Sequence, residues 1–207
     1  MLIAIDANAQ NDGLRLQAET RIDYSGEFLK SNDSNDKMGF SGRYLNVMLS
    51  GNIDDHFSYS YRQRLNKAHA DQSFFDATDW IYLTYAPSRN WEFSGGKQVV
   101  AIGGYEYDRA PIDLYFCSEF WNNIACYQFG ASITYSTKSA NDKIMFQACQ
   151  SPFRAYADDM YAYNLIWYGN MGPLTTSYSI NMIAQNRGEY INYIAFSTIN
   201  QIFIICK

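Results

Sequence analysis

The sequence predicts an all-β fold, an antiparallel transmembrane β-barrel with about ten strands, and three observations support this prediction. Apolar and polar side chains alternate in runs of roughly 9–11 residues, the length of a tilted strand that spans a bilayer. Aromatic residues make up 17% of the 207 residues and charged residues only 18%, a balance typical of proteins at a membrane interface. Long polar connections alternate with short turns, an asymmetry that outer-membrane barrels keep and soluble barrels rarely do.

Composition and motifs exclude several other classes of protein. The mean hydropathy is −0.32, and no apolar run approaches the ~18 residues of a transmembrane helix. A net charge of −5 argues against nucleic-acid binding, which needs a basic surface. The chain has no GxSxG, HExxH, CxxC or phosphate-binding glycine motif, and His56 and His69 are distant in sequence, so no catalytic residues, metal site or cofactor are expected.

The first nine residues resemble the end of a secretory signal peptide. Ala7 and Ala9 before Gln10 fit the small-x-small cleavage pattern, whereas a basic region and most of the apolar segment are missing from the stretch. The sequence therefore predicts a signal-peptide remnant at 1–9 and the barrel at 10–207, with a disordered N-terminal tail as the alternative.

Ten strands are predicted in order, of which the first five cover residues 14–24, 40–50, 57–65, 77–85 and a run that begins at Trp91. In the first of these strands one face is apolar and the other is charged. The second is largely apolar on both faces, so its orientation stays open. In the fifth, Gly95 and Gly96 could form a bulge that changes the face on which Lys97 lies.

The other five strands are predicted at 125–135, 143–149, 160–168, 174–182 and 190–198. The clearest alternation is at 125–135, where Tyr127, Phe129 and Ile133 are separated by small or polar residues. Between the fifth and sixth strands lies the longest connection of the chain, which begins at Gly103 and ends near residue 123. A loop of this length is usually functional, and we expect it to fold into or over the mouth of the barrel. Cys117 and Cys126 could form a disulfide that stiffens it.

Alternation alone does not say which face points inward. A transmembrane barrel places the apolar face against lipid, whereas a soluble barrel that binds a small apolar ligand places it inside. The polar faces favour the first reading, because the charged residues of the first and third strands fit a water-filled lumen. Tyrosine and tryptophan near strand ends are typical of the aromatic girdles of a membrane protein; they are Tyr24, Trp91, Tyr135 and Tyr190.

The runs at 42–67, 91–111 and 125–135, which read GRYLNVMLSGNIDDHFSYSYRQRLNK, WEFSGGKQVVAIGGYEYDRAP and ACYQFGASITY, resemble the phosphate-selective porin O and P family of Bacteroidetes-type outer-membrane porins. The resemblance implies a sixteen-stranded, homotrimeric barrel in the bacterial outer membrane, with the third outer loop folded into the lumen. This chain would then be the N-terminal part of such a barrel, surrounded by outer-membrane lipid.

The predicted function is therefore passive diffusion of small hydrophilic solutes or anions, with phosphate as one candidate, through a lumen narrowed by the 103–123 loop. Charged groups on the strands are on balance basic, whereas those of the loop are acidic. The predicted pore-lining and constriction residues are Arg15, Arg21, Arg43, Arg62, Arg64, Lys97, Tyr105, Glu106, Asp108 and Arg109. The alternative function is a soluble β-barrel that binds a small apolar ligand; an outer-membrane barrel enzyme is the third hypothesis.

Overall fold

A computed structural model describes residues 2–11, 13–27, 37–67, 73–104, 106, 119, 123–153 and 159–200. These residues form one antiparallel sheet of eleven strands that pair in chain order. The strands are β1 (Leu2–Asn11), β2 (Leu14–Glu27), β3 (Lys37–Asn52), β4 (Phe57–Arg64), β5 (Thr78–Ser88), β6 (Trp91–Val99), β7 (Tyr127–Ser136), β8 (Asp142–Gln150), β9 (Tyr161–Met171), β10 (Leu174–Asn186) and β11 (Glu189–Asn200). A four-residue helix, α1 (Phe74–Ala77), precedes β5.

The predicted all-β antiparallel fold is confirmed. The ten predicted strands correspond to β2 through β11, with ends that differ by a few residues. The additional strand, β1, pairs along its whole length with β2, from Leu2 opposite Asp23 to Asn11 opposite Leu14. It covers the stretch predicted as a signal-peptide remnant, and that interpretation stays a prediction.

Long and short connections lie at opposite edges of the sheet, as the sequence predicts. The long connections are 28–36, 65–77, 100–126 and 151–160; the short ones are 12–13, 53–56, 89–90, 137–141 and 172–173. The turn at 187–188, between β10 and β11, departs from the pattern, because it is short and lies at the edge of the long connections. We call the two edges the loop edge and the turn edge.

Hydrogen bonds tie neighbouring hairpins together at the turn edge. The carboxylate of Asp54 accepts hydrogen bonds of 2.7 Å from the backbone N–H groups of His56 and Phe57, and these bonds hold the pKa of that carboxyl below its usual range. The N–H of Ala86 donates to the carbonyl of His56 at 2.8 Å, which joins the 53–56 turn to the end of β5. The short turns are therefore fixed by their own backbone and by their neighbours.

The two faces of the sheet differ sharply in chemistry. One face carries large apolar side chains that are open to the surroundings, such as Phe196 at 75% exposure and Ile180 at 60%. The other carries buried polar side chains, among them Asn46, Asn164 and Asn181, each at 0%. We call these the outer and the inner face. Within the described residues no helix is long or apolar enough to cross a membrane.

The sheet is not closed within the described residues. There β1 pairs with β2, and β11 pairs with β10, and neither pairs with a second strand. Both β1 and β11 thus present a free backbone edge in this part of the chain.

The bulge considered at Gly95 and Gly96 is absent. The pairing of β6 with β7 runs without a register shift from Trp91 to Val99, so Lys97 stays in line with Ile81 and Phe129 of the outer face. Gly96 instead adopts a φ of +133°, and a Cβ there would lie 2.2 Å from the carbonyl oxygen of Ile81. Glycine is needed at this position for backbone conformation and for close approach of β5.

We expect Gly96→Ala to lower the free energy of unfolding by about 2 kcal/mol or more, because it adds both a strained φ and a steric clash with β5. The measurement is urea unfolding of the detergent-refolded chain, followed by tryptophan fluorescence. Gly95→Ala is the matched control, since an added Cβ there meets no atom within 4 Å, and it should stay within about 0.5 kcal/mol of the wild type. Equal effects of the two substitutions would contradict the assignment.

Candidate functional site

The inner face carries a continuous set of polar side chains across the middle of the sheet. Strict alternation puts these side chains on the side opposite the apolar ones, and most of them are buried. Backbone pairing places the members in neighbouring rows, which run across β7, β8, β9 and β10. Its buried members on β6 to β10 are Gln98, Ser132, Thr134, Ser136, Gln147, Asn164, Ser177, Ser179 and Asn181.

A first charged cluster, the Asp23 cluster, lies between β2 and β3. Both oxygens of the Asp23 carboxylate accept from the Arg21 guanidinium, Oδ1 from Nε at 2.9 Å and Oδ2 from Nη2 at 3.0 Å. Arg43 Nε lies 3.6 Å from Asp23 Oδ2. Arg21 and Asp23 are buried, whereas the Arg43 side chain is 56% exposed. Among the described residues the cluster therefore brings two arginines to one aspartate.

A second cluster of the same composition, the Asp79 cluster, lies between β4 and β5. Arg62 Nε is 3.1 Å from Asp79 Oδ2, and Arg64 Nε is 2.7 Å from Asp79 Oδ1. Arg62 is buried and its guanidinium lies 4.7 Å from the centre of the Trp80 ring, a cation–π contact. The Arg64 guanidinium lies 5.9 Å from the Tyr127 ring. Among the described residues this cluster again brings two arginines to one aspartate.

Both clusters are built at β-bulges. Arg21 pairs with Tyr44 and Ile22 with Gly42, so Arg43 is the extra residue of a register shift. In the same way Arg62 pairs with Trp80 and Gln63 with Thr78, which leaves Asp79 as the extra residue. A bulge re-aims one side chain relative to strict alternation. Each bulge thereby brings a third charge to a pair of charged residues on the neighbouring strand.

The chain that leaves β6 lies against the inner face, and its backbone is hydrogen-bonded to side chains of distant strands. We call residues 100–104 the inner segment. The N–H of Ala101 donates to Gln147 Oε1 at 2.8 Å, and the carbonyl of Ala101 accepts from Asn181 Nδ2 at 2.9 Å. The N–H of Gly103 donates to Ser179 Oγ at 2.7 Å. The inner segment therefore extends past β7, β8 and β9 to reach β10.

An apolar cluster supports the same segment near the loop edge. Val100 and Ile102 of the inner segment and Ile124, just before β7, pack against three buried residues of the sheet. These are Cys149, Ala162 and Ile183, which backbone pairing places side by side on β8, β9 and β10. Side chains of the inner segment thus face an apolar patch, while its backbone groups bond to the polar row beside that patch.

The structure places the predicted site residues in different surroundings. Arg21, Arg43, Arg62 and Arg64 belong to the two charged clusters, and Arg15 is exposed at the turn edge of β2. Glu106 is half-buried. Tyr105, Asp108 and Arg109 lie outside the described residues, as does Cys117 of the predicted disulfide, so these assignments stay predictions.

Lys97 is placed apart from the charged inner clusters. It lies in the row of Ile81 and Phe129, and its Nζ donates to the carbonyls of Phe75 and Thr78 at 2.6 and 2.7 Å. Phe75 of α1 in turn packs on Phe129, with ring centres 5.5 Å apart. Lys97 therefore anchors α1 to the sheet rather than joining the polar row.

A second lysine also donates a hydrogen bond to α1. Lys67 Nζ donates to the carbonyl of Asp76 at 2.8 Å. Burial, and after it the nearby positive charge of Arg64, lowers the pKa of Lys67. Positive charge is thus concentrated where the connection 65–77 meets β4 and β5.

Sequence reasoning missed Asp79 and the amide residues that hold the inner segment. Asp79 lies near the start of the predicted strand 77–85, and nothing in the sequence indicates which charged residues it pairs with. The amides appear in the sequence as ordinary polar positions of alternating strands, far from Ala101 in the chain. Asn46 is also missed; it donates to Glu19 Oε2 at 3.4 Å.

Comparison with known proteins identifies one family. The family model described as phosphate-selective porin O and P matches residues 14–178 of the chain. A search of curated proteins and a search of solved structures each found no match.

We expect Asp79→Asn to lower the free energy of unfolding by about 3–5 kcal/mol, because it leaves the Arg62 and Arg64 guanidinium groups without a buried counter-charge. Urea unfolding of the refolded protein measures the change. The control is Asp159→Asn, which removes an ion pair of 2.8 Å to Arg187 whose two side chains are half or more exposed; it should cost less than about 1 kcal/mol. A small effect at Asp79 would mean that the two arginines are already compensated by solvent.

Proposed function

Because the chain belongs to the phosphate-selective porin O and P family, we propose that this porin lets small hydrophilic solutes diffuse passively across the bacterial outer membrane. Membership implies a channel rather than an enzyme. We also propose that outer-membrane lipid surrounds the protein and that the intact protein is a homotrimer. Both an outer-membrane location and a trimer are typical of the family.

The observation that carries the proposal is the orientation of the two faces. Large apolar side chains are exposed on the outer face while amides and ion pairs are buried on the inner face. A soluble protein with this arrangement would expose a large apolar surface to water, whereas in a bilayer the same surface contacts hydrocarbon. A polar inner face is what a water-filled lumen needs.

Aromatic residues at both edges of the outer face agree with a membrane setting. Trp91 and Tyr135 lie near the turn edge with ring centres 4.9 Å apart, and Tyr24 and Phe40 near the loop edge are equally close. Rings of this kind concentrate where hydrocarbon meets the headgroups. Their positions at the two edges support a sheet that spans the bilayer.

The alternative of a soluble barrel that binds a small apolar ligand is not favoured. Such a barrel needs its apolar side chains inside. Here they lie on the outer face, and the buried polar residues lie on the other.

We propose further that the inner segment narrows the lumen. Its backbone is bonded to Gln147, Ser179 and Asn181, so it lies over the polar row rather than beyond the loop edge. A segment in this place takes up cross-section that solutes would otherwise use. Most of the predicted 103–123 constriction loop lies outside the described residues, so its part in narrowing the lumen stays a prediction.

Selectivity in this proposal is a moderate preference for anions, phosphate among them. The support is that each charged cluster brings two arginines to one aspartate within the described residues. Glu19, which accepts from Asn46, adds a negative charge to the same face. Guanidinium groups suit phosphate because they offer several donors in one plane.

Heat modifiability and conductance together test the channel. The chain, refolded in detergent, should migrate faster on a gel when unboiled than when boiled, and the compact species should open discrete ion-conducting events in a planar bilayer. Aggregation without a compact species, or a compact species that never conducts, would contradict the proposal for this chain.

The preference for anions is tested at Arg43, whose side chain is the most exposed of the two clusters. Arg43→Gln removes one positive charge from the Asp23 cluster, so the anion-to-cation permeability ratio should fall by roughly a factor of two. Reversal potentials in a potassium chloride gradient give the ratio. Arg89→Gln is the control, because it removes the same charge from an exposed turn and should leave the ratio unchanged. A ratio that Arg43→Gln does not alter would assign selectivity to other residues.

A further inference from the structure

We infer that Gln147 and Asn181, joined through Asn164, are positioning residues that fix the width of the lumen by holding the inner segment against the sheet. The inference rests on the proposed porin function and deepens it. The residues that would control the constriction then lie on β8, β9 and β10, far from the 103–123 loop in sequence.

The first argument is the nature of the contacts. Gln147 bonds to the chain at two points: Nε2 donates to the carbonyl of Val99 and Oε1 accepts from the N–H of Ala101, both at 2.8 Å. Asn181 Nδ2 donates to the carbonyl of Ala101 at 2.9 Å. The N–H and the carbonyl of Ala101 are thus bonded to side chains from two different strands. This arrangement fixes both the height and the orientation of the inner segment.

The second argument is that the amides hold one another. Asn164 Nδ2 donates to Gln147 Oε1 at 3.1 Å, and Asn181 Nδ2 donates to Asn164 Oδ1 at 2.7 Å. Ser179 Oγ donates to Asn181 Oδ1 at 2.6 Å and accepts from the N–H of Gly103. Gln147, Asn164 and Asn181 are at most 1% exposed, and the three are direct cross-strand partners. Each amide is therefore oriented before the inner segment binds to it.

The third argument separates positioning from general stability. Strands β8, β9 and β10 are already joined by complete backbone pairing, so they do not need the amide row to stay together. The bonds to Val99, Ala101 and Gly103 instead satisfy backbone groups that would otherwise be buried without a partner. Without the amide row those backbone groups would bond to water instead, and the inner segment would move away from the sheet.

A cavity of about 140 Å³ adjoins the inner segment where it is held. It is lined by residues 98–102 and by Tyr82, Met145, Gln147 and Tyr168. Tyr82 belongs to β5 and Tyr168 to β9, so the segment borders the space between these strands. Displacing the segment would change the cross-section that is open to solutes there.

The experiment compares Gln147→Leu/Asn181→Leu with the wild type in planar bilayers. Leucine keeps approximate size and removes the donors and acceptors, so single-channel conductance should change by about twofold or more while the compact unboiled species persists. Hydrogen exchange at the Ala101 and Gly103 amides should speed up by about tenfold or more. Asn90→Leu is the matched control, because this amide also donates to a backbone carbonyl, that of Ser136 at 2.7 Å, but lies in the turn 89–90 away from the inner segment; it should change neither readout.

A disulfide between the inner segment and β10 tests whether holding the segment in place restores the conductance. A Cβ on Gly103 would lie 3.0 Å from Ser179 Oγ, close to the distance between a Cβ and the far sulfur of a disulfide. Gly103→Cys and Ser179→Cys, added to the leucine variant, should restore wild-type conductance when oxidised and lose it again on reduction. The leucine variant with Gly103→Cys alone controls for the native cysteines, and conductance should be restored on oxidation only in the variant that carries both new cysteines.

The outcomes separate the two claims. A wild-type chain that never conducts overturns the proposed function and this inference with it. A conducting wild type whose leucine variant keeps the same conductance and the same exchange rates overturns the inference alone. If the double variant yields no compact species, Asn181→Leu by itself is measured, and unchanged conductance and exchange in that variant overturn the inference.

Discussion

The constraint on which this structure depends is that a backbone buried inside a sheet must find hydrogen-bond partners for its N–H and carbonyl groups. The strands satisfy it by pairing with one another. In the described part of the chain no strand pairs with residues 101–104, yet they stay against the inner face because Gln147, Ser179 and Asn181 take the place of a neighbouring strand. The polar inner face thus has two uses, since it forms the wall and also supplies the bonds that hold a loop against it.

The strands and the identity of the two faces could be predicted from the sequence, because both follow from a period of two residues. The ends of the strands at 125–135 and 174–182 lie within a few residues of β7 and β10. What periodicity leaves out is partnership between strands far apart in the chain. Nothing in the sequence distinguishes Asn181 from other polar residues on alternating strands, since its role depends on where Ala101 arrives.

The charged clusters were predicted in part, and the bulges explain the difference. Arg62 and Arg64 follow strict alternation and were assigned to the inner face, whereas Asp79 arrives there through an extra residue. The second predicted strand was apolar on both faces, and this loss of phase is the trace that a bulge near Arg43 leaves in a sequence. At Lys97 the opposite happened, because two glycines suggested a bulge and the pairing runs through without one.

The inner segment is held by its main chain and by its burial, and this has a consequence for how such a channel can diverge. Val100 and Ile102 pack on the apolar patch, Ala101 and Gly103 are buried as well, and a Cβ on Gly103 would lie 3.0 Å from Ser179 Oγ. Descendants of this chain are therefore expected to keep small or apolar residues at 100–103 together with the amide row. The place of the segment in the channel would be inherited with β8, β9 and β10.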